Sequence, residues 1–376
     1  MIKRFFFLIA FISTTISCQN KEVQNPLEQA LRSQHIKIRQ VVDSIDNYEV
    51  QIQLTTIKRN TNNVTFHDYS FRVDDSVYFY PASSVKFPIA VLALEKLEKE
   101  QLRRDTRFFV EGDSVETTFA NEITKIFAVS DNDAYNRLFD YLGTDYINNT
   151  LKSKGVDPVR ISHRLSVDDA DNVETKPLIL FINDSTYTTT KTMYNSPVEK
   201  LNLKKIEKGS GYYQDGILIN EPMDFSYKNY LPISALHQLM KRIIFPEKFQ
   251  SKETFNLSQN NYQFLLSAMS ILPKNAGYSV DEFYDGYVKF FLFGDTKETI
   301  PDHLKIYNKV GYAYGYLTDC AYIKDTKNDV EFILTATIHV NKNGIFNDDT
   351  YEYEEIGIPF LAELGRQIHA NLLKNN

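Results

Sequence analysis

The sequence predicts an α+β fold of two lobes. Three observations carry this: strand-like alternation near both ends of the chain, a helical middle, and an amphipathic helix at either end of the globular part. Strands from the two ends then share one sheet. The middle forms a second lobe, and a site belongs in the cleft between them.

Composition permits this and excludes other classes. The chain has 376 residues, 43% hydrophobic and 24% charged, which is ample for a large core. The net charge is −7 and there is no run of Lys or Arg, so nucleic acid is not an expected partner. The seven histidines show no metal-ligand spacing, and no metal or other cofactor is expected.

The first residues read as an export signal. Met1-Ile2-Lys3-Arg4 is basic and Phe5 to Ile12 is apolar, too short to span a bilayer. Thr15-Ile16-Ser17 then precedes Cys18, which resembles a bacterial lipoprotein cleavage site in which that cysteine receives the lipid. The expectation is a signal peptide over 1–17, a polar tether over 18–26, and a mature protein anchored by lipid in the bacterial envelope, on its periplasmic or cell-surface face.

The domain itself spans 27–375. Apolar residues Leu27, Leu31, Ile38, Val41, Val42 and Ile45 predict an amphipathic helix. Alternation over Tyr48 to Ile57 and Val64 to Val73 predicts two strands around an Asn-rich turn. The apolar run Ile89 to Leu97 predicts a buried helix, with Ser83 in its first turn. Further helices are expected over 119–129, over 134–142 ending at Gly143, over 233–244 and over 262–271. Residues 176–230 differ. Their β-type runs and Gly209-Ser210-Gly211 suggest a β-rich insertion or lid. Strands over 307–314, 317–323 and 330–340 follow, then a final helix over 353–373. The sheet lobe is thus 27–80 with 300–375, and the helical lobe is 81–299.

Chemistry centres on Ser83. Residues three apart on a helix share a face, so Ser83-x-x-Lys86 sets a hydroxyl beside an amine. No other serine in the chain has a lysine three residues on. Ser130-Asp131-Asn132 lies on a loop between helices, and Lys309-Val310-Gly311 lies on a late strand.

In this order the three motifs resemble the serine β-lactamase and penicillin-binding protein superfamily, and the class A-like β-lactamases most nearly. The resemblance covers roughly residues 27 to 373. It implies an antiparallel sheet flanked by the terminal helices, with a mainly helical lobe inserted. It also implies an acyl-enzyme on Ser83, with Lys86 as base and Ser130 as proton shuttle to the leaving nitrogen. Asn132 binds the substrate amide, Lys309 holds a substrate carboxylate, and backbone N–H groups of Ser83 and Tyr312 form the oxyanion hole. Gly311 suits a strand position where a ligand approaches the backbone closely.

Two departures qualify the expected reaction. Val310 stands where the family carries a hydroxyl. No Glu-x-x-x-Asn loop follows the second motif, so the glutamate that activates water for deacylation is missing. Glu174 and Glu221 are the candidates for that role by chain position, although each also reads as a solvated surface residue. Asn136 matches a family asparagine that steadies the missing glutamate. The expected activity is hydrolysis of β-lactams or a related acyl-amide. A D-alanyl peptidase or esterase acting on peptidoglycan peptides is the first rival, and a non-catalytic envelope binding protein on the same fold is the second. The intact Ser83, Lys86, Ser130 and Asn132 oppose the second.

Overall fold

A computed structural model describes residues 25–60 and 63–375. The signal sequence, Cys18 and most of the tether lie outside the described residues.

The chain begins with two short helices, α1 (Pro26–Leu31) and α2 (Ile36–Val42), where one helix is expected. Local polar bonding divides them. The His35 amide donates to Ser33 Oγ, and the His35 ring accepts from the Lys37 amide to cap α2. Strands β1 (Gln51–Asn60) and β2 (Asn63–Phe71) follow. A 3-10 turn, Ala82–Val85, then runs directly into α3 (Lys86–Glu100). Next come β3 (Arg107–Val110), β4 (Thr117–Thr118), α4 (Phe119–Ala128), α5 (Asn132–Leu142) and α6 (Thr144–Ser153).

The expected β-rich stretch holds β5 (Leu178–Asn183), β6 (Thr186–Thr189), β7 (Glu207–Lys208), β8 (Gly211–Gln214), β9 (Ile217–Ile219) and β10 (Met223–Asp224). Helices α7 (Ile233–Ile244) and α8 (Gln259–Ser270) and a short irregular turn, α9 (Phe290–Phe293), complete the middle. Strands β11 (Leu304–Ala313), β12 (Tyr316–Asp325), β13 (Val330–His339) and β14 (Ile345–Phe346) lead to the closing helix α10 (Ile358–Asn375).

The main sheet has the order β11-β12-β13-β1-β2, and every neighbouring pair is antiparallel. Alternation along its strands serves two cores. Ala321 and Leu334, paired across β12 and β13, face the core shared with Leu27, Phe360, Leu361 and Leu364 of the terminal helices. Their neighbours Cys320, Tyr322 and Ile333 face the helical lobe. The sheet is therefore covered on both sides, as the α+β expectation requires.

Helix α3 is the axis of the helical lobe. Phe87, Ile89, Val91, Leu92 and Leu94 are all fully buried, so this helix is apolar on every side. Burying each of these larger side chains is worth about 1.5–3 kcal/mol. That packing fixes the turn carrying Ser83.

The insertion is stitched to its surroundings at three places. Strands β5 and β6 join β3 and β4 in a four-stranded sheet of order β4-β3-β5-β6. Strand β8 pairs in parallel with β14, beyond the main sheet. Phe225 and Tyr230 pack with Tyr78, Phe79, Tyr80 and Phe346 in an aromatic core immediately before Ser83. Among the described residues, no helix is long and apolar enough to cross a membrane.

Candidate active site

Three elements converge at Ser83. The 3-10 turn presents Ser83 and the first residue of α3 presents Lys86. The loop before α5 supplies Ser130 and Asn132, with Asp131 as the N-cap accepting from the Ala134 amide at 2.8 Å. Strand β11, at the edge of the main sheet, supplies Lys309, Gly311 and Tyr312. Ala82 and Ser130 both take left-handed backbone conformations, with φ of 45° and 61°. Strain of this kind in non-glycine residues persists only where the surroundings impose it, and it concentrates at functional sites.

Lys86 is the hub. Its side chain is fully buried. Its Nζ lies 2.8 Å from Ser83 Oγ, 2.5 Å from the Ser130 carbonyl oxygen and 2.5 Å from Asn132 Oδ1, with Ser130 Oγ farther off at 3.4 Å. Burial pushes its ammonium down to about 7, against a partial pull upward from Asp131. A neutral amine has two N–H groups and one lone pair. The Ser130 carbonyl and Asn132 Oδ1 accept and cannot donate, so they take the two N–H groups. The lone pair is left for Ser83, whose hydroxyl has a proton to give. The arrangement is that of a general base poised on a nucleophile.

The second cation lies on the other side of Ser130. Lys309 Nζ is 2.8 Å from Ser130 Oγ and 2.8 Å from the Val310 carbonyl. Burial, reinforced by repulsion from Lys86, pushes its ammonium well below the ordinary lysine value. Once Lys86 has taken the Ser83 proton, its third N–H can turn to Ser130 Oγ at 3.4 Å, so Ser83, Lys86, Ser130 and Lys309 line a path along which a proton can pass.

A polar layer supports Lys309 from behind. Lys289 Nζ donates to Asn308 Oδ1 at 2.6 Å, and Asn308 Nδ2 donates to Asp319 Oδ1 at 2.9 Å. Asp319 is fully buried, and burial raises its carboxyl to about 6 despite these bonds and the nearby lysines. Val310 packs in the core between sheet and terminal helices, so β11 presents no hydroxyl at that step.

Gly311 brings strand and turn together. A Cβ built there would lie 2.5 Å from the Pro81 carbonyl oxygen, 2.7 Å from the Ser84 nitrogen and 2.9 Å from the Ser83 nitrogen. All three are backbone atoms that cannot swing aside, so only glycine fits. The close approach places the Ser83 turn directly against the edge strand that carries Tyr312.

The cleft beside Ser83 has a volume of about 330 Å³. Ser83, Asn132, Tyr80, Tyr312 and Tyr314 line it, together with the loop from His163 to Val167 and with Lys228 of the insertion. Asn132 spans from Lys86 to this loop, its Nδ2 donating to Ser166 Oγ at 3.0 Å. Asn136 clamps Leu165 on both sides: the Leu165 amide donates to its Oδ1 at 2.8 Å, and its Nδ2 donates to the Leu165 carbonyl at 2.9 Å. The position that Asn136 steadies is therefore apolar.

Glu174 and Glu221 are not brought to the cleft. Both are exposed, and neither is among the residues lining it. The Glu174 carbonyl only accepts from Arg164, at 2.8 Å. The residue held at the Asn136 clamp is Leu165, which has no carboxylate. Sequence reasoning did not single out Tyr80, His163, Leu165 or Lys228. For Leu165 a signal existed in Asn136, since a buried asparagine on α5 needs backbone partners. For Lys228 none did.

Comparison with known proteins agrees with this geometry. Residues 37–202 match the model of the beta-lactamase enzyme family. A class A beta-lactamase from Mycobacterium abscessus superposes with a TM-score of 0.50 at 14% identity, over 89% of this chain and 98% of its own. A beta lactamase from Xanthomonas campestris gives 0.50 at 13%, over 86% and 91%. A mutant of PBP-A, in an acyl-enzyme complex with penicillin G, gives 0.50 at 14%, over 93% and 97%. No curated protein matches the sequence. At these identities the structural likeness establishes the fold.

Proposed function

We propose that the chain is a serine hydrolase of the serine β-lactamase superfamily, a reading its fold and the family match over residues 37–202 support, and that its Ser83 is acylated by β-lactams or related acyl-amides and then released slowly. The observation that carries this is the set of partners around Lys86. Two obligate acceptors leave its lone pair to Ser83, and burial keeps its proton affinity near neutrality.

In the proposed reaction Lys86 takes the Ser83 proton as Oγ attacks the carbonyl. The backbone N–H groups of Ser83 and Tyr312 hold the oxyanion. Ser130, bridging Lys86 and Lys309, returns a proton to the leaving nitrogen. Lys309 serves as the anchor for a substrate carboxylate on the leaving-group side.

Release is the weak step. An ester on Ser83 needs an activated water, and the residue clamped by Asn136 is Leu165. This favours the peptidase or esterase reading, in which a β-lactam traps the enzyme, over efficient β-lactam hydrolysis. We further place the protein in the cell envelope, held by lipid on Cys18, from the signal-like start of the sequence.

A fluorescent penicillin tests the function. The expected result is label that persists for hours on the wild type and is absent from Ser83→Ala. Transient label with stoichiometric excess of hydrolysed drug returns the reading to a working β-lactamase. Absence of Ser83-dependent label overturns the proposal.

A further inference from the structure

The insertion places one unpaired cation in the wall of the cleft. Of the two basic side chains on the lining, Arg164 is committed to Asp140, with which it forms a buried ion pair. Lys228 takes part in no ion pair and no side-chain hydrogen bond among the described residues, although the protein as a whole carries a net charge of −7. A surface lysine in an acidic protein ordinarily finds carboxylates nearby. The exposed Asp171 acts electrostatically on the walls Tyr80, His163 and Tyr314, yet no ion pair joins it to Lys228.

The backbone that carries Lys228 is held firmly. The Arg160 guanidinium donates to the carbonyls of Ser226 and Lys228. Arg160 and Tyr230 exchange backbone hydrogen bonds, both 2.7 Å. Asn229 Oδ1 accepts from the Ser162 amide at 2.8 Å, and the Asn229 carbonyl accepts from the Tyr78 hydroxyl at 3.0 Å. These bonds tie residues 226–230 to the segment 160–163, which enters the cleft wall at His163, so Lys228 belongs to a built surface.

The cleft lies on one particular side of Ser83. Its lining includes Asn132 but neither Ser130 nor Lys309. In the proposed reaction Ser130 and Lys309 serve the leaving group, so this cleft receives the acyl group that stays on Ser83. Its walls are the rings of Tyr80, Tyr314 and His163. Tyr80 and Tyr314 meet edge to face at 4.9 Å, and Tyr80 stacks on His163 with planes 6° apart. His163 is held neutral at ordinary pH, its imidazolium pushed down to about 4 chiefly by burial and in part by Lys228 itself. The cleft therefore offers aromatic surface and, with Arg164 paired to Asp140, one positive charge without an ion-pair partner among the described residues.

We propose that Lys228 is a specificity-determining residue, and that the preferred substrate carries a carboxylate on its acyl side, seated against Tyr80 and Tyr314 and paired with the Lys228 ammonium. One lysine with no second cation beside it matches a monoanion, whereas a phosphate would demand several convergent donors. The inference rests on the proposed acylation of Ser83. It also gives the insertion a part in the chemistry, since the insertion then supplies the cation that selects the substrate.

Two penicillins differing only on the acyl side test it. Benzylpenicillin lacks a side-chain carboxylate, and α-carboxybenzylpenicillin has one. The second-order acylation constants of both are measured for wild type, Lys228→Met and Lys228→Arg, with thermal unfolding as the check on folding. The ratio of carboxylated to plain penicillin is expected to fall about tenfold in Lys228→Met, the loss of one charge-assisted contact, and to be largely kept in Lys228→Arg. Should Lys228→Met fail to fold, Lys228→Gln is measured in its place. An unchanged ratio overturns this inference and leaves the acylation reading standing. Absence of Ser83-dependent acylation by either penicillin overturns both.

Discussion

Replacing Lys86 by methionine keeps most of its volume and removes the amine. Its consequences for rate and for stability both follow from one fact, that burial brings the ammonium from 10.5 to about 7. For the rate, only the neutral amine can take the Ser83 proton. Wild-type acylation by benzylpenicillin should rise tenfold per pH unit on the acid side and level off above about pH 7. Loss of the base should slow it by about 10²- to 10⁴-fold at the plateau.

For stability, the folded-state value lies below the unfolded one. Between about 7 and 10.5 the unfolded chain holds the extra proton, so this group makes the fold more stable as pH rises through that window. Below pH 7 both states are protonated, and the full burden of the buried ammonium, about 5 kcal/mol, is present. Lys86→Met is free of it but leaves the Ser130 carbonyl and Asn132 Oδ1 without a donor, so the pH slope is the cleaner signal. Urea unfolding of both proteins at pH 7 and pH 9 should show wild type gaining about 2 kcal/mol on the variant. A stability difference that does not move with pH, or an acylation profile rising only near pH 10, refutes the claim that burial tunes Lys86.

Two further substitutions probe the remaining parts. Leu165→Glu puts a carboxylate at the residue clamped by Asn136, beside Ser83, and should speed release of the penicilloyl group by about 10²-fold or more; loss of fluorescent label over time measures it, and an unchanged lifetime shows that water is not reached from this position. Gly311→Ala forces a methyl group against three backbone atoms of the Ser83 turn and should cost about 10²-fold in acylation while far-UV circular dichroism stays native; near-normal acylation would show that the turn has room to move.

The parts of the site that are legible in the sequence are those built from local patterns. Ser83 and Lys86 share one helical face, Ser130 and Asn132 flank a helix cap, and Lys309 and Gly311 sit on a strand with clear alternation. None is decisive alone; it is the order of the three motifs, and the resemblance that order carries, that singles them out, and the structure brings all of them together. The apolar run of α3 likewise announces a buried helix. What escapes is what tertiary pairing assembles. Lys228 reaches the cleft because Arg160 and Asn229 bind two distant loops together, and no local pattern records that. Glu174 and Glu221 follow the second motif in the chain, yet they lie on exposed segments away from the Asn136 clamp, because chain order alone does not say which loop residue packs against α5. Helix α6 is missed for a different reason: over Thr144–Ser153 only Ile147 and Leu151 carry a large buried apolar side chain, too few to set a period.

The most direct test of the acyl-enzyme is intact mass spectrometry of the purified protein after exposure to benzylpenicillin, followed by peptide mapping. The predicted result is one penicilloyl group per chain, located on Ser83 and still present long after free drug is removed. An unmodified mass, or an adduct mapped to any residue other than Ser83, contradicts it.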